Sequence, residues 1–262
     1  MKILIGSTAL QRYLGSLVRE PKDLDWFADE PVPGESFWHP DLDKWDWCWP
    51  GGGGYGTKAH GIAGLHELYT IKVSHIFWDN NWDKHAYDIL LMQDNGAQFL
   101  PELYDILYPI WEERYSKKNV NLQTSADQFF NFNVQRIYEH DSIHETIKYY
   151  YEPLYKLILK DGCEVAVDKA KFDALPEDIK LCLVYEELFA TALERVILPG
   201  NLVDYRSAYK WALKQMLTSM SKGWFALWIA QHLSDLWTCP TNYLKLHQEN
   251  SDRLVLLKGT EE

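Results

Sequence analysis

The stretch Ile3-Leu4-Ile5-Gly6-Ser7-Thr8-Ala9-Leu10, followed by Lys22-Asp23-Leu24-Asp25-Trp26-Phe27, carries the strongest local signals in the chain. Consecutive large aliphatics predict a buried strand, Gly-Ser turns the chain into a short helix, and the second segment predicts a further strand carrying two acids. Side chains alternate along a strand, so Asp23 and Asp25 are expected on one face, Leu24 and Trp26 on the other. Two neighbouring carboxylates beside a Gly-Ser turn can hold a divalent cation together with the phosphates it neutralises. The plainer alternative is an acid pair that caps a turn.

The order of these features resembles the N-terminal signature of the nucleotidyltransferase fold, the DNA polymerase β-like superfamily. That pattern is a hydrophobic strand ending in Gly-Ser or Gly-Gly, a helix, then Asp-x-Asp or Asp-x-Glu among hydrophobics, with a third acid on a later strand. Gly6-Ser7 matches the first part and Asp23-Leu24-Asp25 the second, with Arg12, Arg19 and Lys22 between them. The resemblance implies an α+β chain whose N-terminal part is a nucleotidyltransferase-like mixed sheet with helices. It also implies Mg²⁺-dependent transfer of a nucleotidyl group from an NTP to a hydroxyl acceptor: a small molecule, an RNA end or a protein. Asp23 and Asp25 would then be the metal ligands and catalytic acids, and Gly6 and Ser7 would approach the triphosphate. The third acid is the weak point, with Glu67 and Asp88 as the substitutes within reach and His75 as an alternative base. Without any of them the domain would bind a nucleotide without transferring it.

Residues 29–64 read as loop, with four prolines and the run Gly51-Gly52-Gly53-Gly54-Tyr55-Gly56, which lacks the Gly-Lys-Ser/Thr ending of a P-loop. Leu68-Tyr69-Thr70-Ile71-Lys72-Val73-Ser74-His75 alternates and is rich in strand formers, so it predicts a third strand. Lys72 on that strand either meets a phosphate as charge stabiliser or neutralises Asp25. Trp78, Trp82, His85, Ile89 and Met92 recur at helical intervals up to Gly96. His75 and His85 are phosphate donors, metal ligands or core histidines, whereas Lys84 and His85 with Asp88 a turn later share a helix face and make a candidate nucleotide-binding group.

Beyond residue 98 the pattern is helical, with helices expected at 101–117, 124–140, 143–159, 168–173, 176–197, 205–220 and 222–236. The expected organisation is therefore an N-terminal domain over 1–98 and a helical domain over 99–262. A second constellation, His140-Asp141-Ser142-Ile143-His144, places two histidines on one helix face. The adjacent His-Asp pair is similar to that of metal-dependent HD phosphohydrolases, whose wider pattern is not recognisable here. His140, Asp141 and His144 are thus a second candidate metal site, or Asp141 or Ser142 caps the helix that follows.

The net charge of −12 argues against duplex DNA as a partner, while an NTP delivered with Mg²⁺ brings its own positive charge. The 12 Trp, 16 Tyr and 10 Phe are core packing or stacking platforms for bases and sugars. Four cysteines without a CxxC pairing, no leader-like segment and no apolar run of roughly 20 residues lead to the expectation of a cytoplasmic protein that does not enter a membrane.

Overall fold

Lys2–Ile5 forms strand β1, with Ile3, Leu4 and Ile5 buried. Gly6, at φ 70°, breaks the extended backbone, and helix α1 runs from Gly6–Leu14. Strand β2, Asp25–Ala28, returns antiparallel to β1 with Ile5 opposite Asp25 and Ile3 opposite Phe27. The chain is an α+β protein, described by a computed structural model over residues 1–47, 60–78, 82–115, 169–192, 205–218 and 224–238.

Two short strands complete the sheet where the sequence predicts only loop. β3, Glu35–Phe37, pairs parallel with β2, and β4, His60–Ile62, pairs parallel with β1, giving the order β3-β2-β1-β4. A 3₁₀ turn, Pro40–Lys44, opens on His39, whose ring accepts from the Asp41 amide. Strands of three residues show no measurable alternation, and so they escape a periodicity test.

The expected third strand is a helix. Leu65–His75 forms α2, and every residue from Glu67 to Ser74 is buried. The Glu67 carboxylate accepts from the Gly64 amide at 2.5 Å and from Trp45 Nε1 at 2.8 Å, which fixes the first turn. A helix covered on all sides carries apolar residues on every face, so its sequence loses the 3.6-residue period and the β-branched Thr70, Ile71 and Val73 mimic a strand. α2 packs against α1, against α3 (Trp82–Asp94) and against α4 (Pro101–Tyr115). Trp111 on α4 donates to Ser74 Oγ at 3.0 Å, and Phe27 meets Phe37, Trp47 and Trp111, so the sheet, α2 and α4 share one core.

By its contacts the first compact unit spans Met1–Val120 and therefore includes α4; the second spans Asn121–Glu262. Within the second, the described elements are the helices Lys169–Asp173, Glu177–Ala192, Tyr205–Thr218, Trp224–Gln231 and Leu233–Leu236. Phe172 is buried among Trp224, Phe225 and Trp228, and Tyr209 donates to the Leu236 carbonyl at 2.8 Å. The helices expected at 124–140 and 143–159, the run Gly51 to Gly56, and His140, Asp141 and His144 lie outside the described residues. Among the described residues no helix is long and apolar enough to cross a membrane.

Candidate functional site

The register of the sheet assembles the site. Ile5 is paired with Asp25 and Asp25 with Glu35, so the end of β1 and the starts of β2 and β3 form one row. Gly6 and Ser7 follow Ile5 directly, which brings the first turn of α1, whose amides have no partner within the helix, to the same place as the acids. A cavity of about 330 Å³ opens there, lined by Gly6, Ser7, Asp23, Asp25 and Glu35 on the sheet side.

Gly6 is required by its geometry. A Cβ at this position would collide with the Asp25 carboxylate oxygen and stand 3.1 Å from its Cγ, and φ 70° already disfavours any L side chain. The close approach of backbone to carboxylate is what the Gly-Ser turn permits. Asp23 does not sit on the strand as expected: β2 begins at Asp25, and Asp23 occupies the bend before it. Its carbonyl accepts from Thr8 Oγ1 at 2.8 Å, tying that bend to α1.

Burial and the neighbouring Asp23 and Glu35 charges push the Asp25 carboxyl above its ordinary range, with burial the largest cause. Lys72 and Arg19 act in the opposite direction without cancelling the rise. An acid pushed this way is stabilised in its ionised form by a cation placed beside it. Among the described residues no three His, Cys, Asp or Glu side chains converge to close around one metal ion.

The opposite wall comes from α2, α3 and α4. Lys72, His75, Lys84 and His85 all line the cavity, although Lys72 and His75 do so from a helix and not from a strand. The His75 and His85 rings meet edge to face at 4.8 Å, and His75 also meets Trp111 and Tyr115. Asp88 does not reach the cavity. It is fully buried behind Lys72, whose Nζ lies 3.0 Å from Asp88 Oδ2. Glu67 is likewise spent on the cap of α2, so neither acid expected as the third carboxylate faces the pair.

The acid that does face them is Glu35, in register beside Asp25. Its only signal in the sequence is Gly34, at φ 97°, which lets the chain lie against Leu24 and start β3. Arg19, Lys22, Lys72, Lys84 and Arg114 also line the cavity, against the three acids, in a chain whose net charge is −12. At the rim the Arg114 guanidinium lies over the Phe37 ring at 4.6 Å, and Phe37 stacks on Trp111 at 5.0 Å.

The family model of a domain of unknown function, DUF7275, matches residues 67–251, and the chain belongs to that family. The matched span starts within α2, so Lys72, His75, Lys84, His85 and Arg114 fall inside it, while Gly6, Asp23, Asp25 and Glu35 precede it. No curated protein and no solved structure matches the chain.

Proposed function

We propose that this cavity takes an NTP with Mg²⁺ and transfers its nucleotidyl group to a hydroxyl acceptor. The observation that carries the proposal is the Gly6 turn closed onto Asp25, with Asp23 and Glu35 beside it and five cationic side chains around them. Mg²⁺ keeps several waters and binds through one or two carboxylates plus substrate phosphates, so Asp23 and Asp25 fit it without a closed protein cage. The raised proton affinity of Asp25 supports the same fit, since a divalent cation relieves the repulsion from Asp23 and Glu35. When bound, the metal supplies Lewis-acid stabilisation of the attacking and leaving oxygens.

The remaining roles belong to the chain. Gly6 and Ser7 offer backbone and hydroxyl donors to the triphosphate at the helix N-terminus. Lys72, Arg19 and Lys84 neutralise the tail, while His85 stands beside Lys72. As the acceptor oxygen bonds to the α-phosphorus, the bond to the bridging oxygen breaks and pyrophosphate leaves. The acceptor's proton passes to His75, whose imidazole is suited to a general base near neutral pH. Glu35 takes the place of the third acid.

The test is label transfer from each α-labelled NTP, with Mg²⁺, to pools of RNA, protein and small hydroxyl compounds. Transfer with pyrophosphate release, lost in Asp25→Asn, is the expected result, and His75→Ala is expected to slow it by about 10²- to 10⁴-fold. Binding of intact NTP with no transfer to any pool would instead make the domain a nucleotide-binding interaction protein.

A further inference from the structure

We propose that Asp88 is a positioning residue, the buried carboxylate that sets Lys72 and Arg19 as a paired clamp for a polyphosphate in the cavity. The inference rests on the nucleotide reading above. Lys72, from α2, and Arg19, from the segment between α1 and β2, both line the cavity, whereas Asp88, from α3, does not. A single oxygen, Asp88 Oδ2, serves both: Lys72 Nζ is ion-paired with it at 3.0 Å and Arg19 Nη2 donates to it at 3.5 Å.

Charge counting shows what is left over. Lys72 Nζ also lies 3.2 Å from His85 Nδ1; an ammonium only donates, so Nδ1 accepts and the ring carries its proton on Nε2. The imidazole therefore adds no charge, and two cations share one anion. Neither cation forms an ion pair with Asp23, Asp25 or Glu35 among the described residues. Their surplus positive charge lies on the cavity wall, where it acts on Asp25 without a direct ion pair and is available to an anionic ligand.

The geometry of Arg19 adds an independent observation. Its Nε and Asp88 Oδ1 are both buried without a hydrogen-bond partner among the described residues. Those two atoms are the missing half of a bidentate guanidinium–carboxylate pair, which is the strong form of this contact. Arg19 is held by one long bond and keeps donors uncommitted, so it is steered toward the cavity without being locked away from a phosphate.

The experiment titrates Mg²⁺·ATP and tripolyphosphate by calorimetry into the full chain, its Asp88→Asn and Lys72→Met variants, and the double variant. Asp88→Asn is expected to weaken Mg²⁺·ATP by about tenfold, the size of one charged hydrogen bond. Its affinity for Mn²⁺ alone, which reads Asp23 and Asp25, should stay within about twofold. In the Lys72→Met background the same change should cost no more than about threefold, because only Arg19 then remains to be placed. If Asp88→Asn alone fails to fold, Asp88→Glu, which keeps the charge but displaces it from Lys72 and Arg19, takes its place, with the same tenfold loss of Mg²⁺·ATP affinity expected and an unweakened affinity overturning the role. Unweakened Mg²⁺·ATP binding by Asp88→Asn, or an equal loss in both backgrounds, overturns the positioning role while leaving the nucleotide site in place. A wild-type chain that binds neither Mg²⁺·NTP nor tripolyphosphate overturns both.

Discussion

Gly6 and Asp25 are the two residues whose local physics constrains the site most. Gly6→Ala adds a Cβ where the Asp25 carboxylate lies and forces a left-handed backbone on an L residue. The backbone term alone costs about 1–2 kcal/mol, so a lower urea midpoint together with weakened nucleotide binding is expected. A substitution that is neutral in both measurements would contradict the close approach. Asp25 gives a prediction of opposite sign. Its carboxyl holds a proton more tightly in the folded chain than at its ordinary value of 3.8, so the native state binds more protons in the interval above that value. Stability therefore falls as pH rises through the interval, and ionised Asp25 lowers stability at neutral pH. Asp25→Asn should raise the melting temperature at pH 7 in the absence of divalent cations, with the gain disappearing below pH 3.8. A lower melting temperature at pH 7 would contradict that electrostatic picture.

At the scale of elements, β1, α1 and β2 were legible because their signals are local: an aliphatic run, a glycine at a forced turn, and acids bounded by apolar residues. α2 was not legible, since a helix buried from Glu67 to Ser74 has no polar face to reveal its period. Lys72 and His75 nevertheless line the cavity, together with Leu68 and Ile71 three or four residues away on the same helix. Glu35 was missed because β3 has three residues and its position depends on pairing with β2, a contact that no local pattern encodes. The anchor of α2 makes this scale testable. Glu67→Ala leaves the Gly64 amide and Trp45 Nε1 without their acceptor. A loss of about 1–3 kcal/mol is expected from urea unfolding, whereas Glu67→Gln, which keeps an acceptor oxygen, should lose less. Equal losses for the two variants would show that the side-chain oxygens do not anchor the helix.

Over the whole molecule, charge is distributed against its average. The chain carries −12 in total, yet Arg19, Lys22, Lys72, Lys84 and Arg114 surround one cavity of the first unit. That contrast is what the proposed nucleotide site requires: a local group of cations for a compact anion in a chain whose net charge repels an extended nucleic-acid backbone. Among the described residues, aromatic rings cluster around Phe27 in the first unit and around Phe172 in the second. The most direct measurement is the unfolding free energy of the wild-type chain and of the Asp23→Asn/Asp25→Asn double variant, with and without each of the four NTPs plus Mg²⁺. At a hundredfold excess over the dissociation constant, a ligand that binds only the native state adds about 2.7 kcal/mol. A gain of this size with at least one NTP, absent from the double variant, is the predicted result; no gain with any of the four NTPs would contradict a nucleotide site in this cavity.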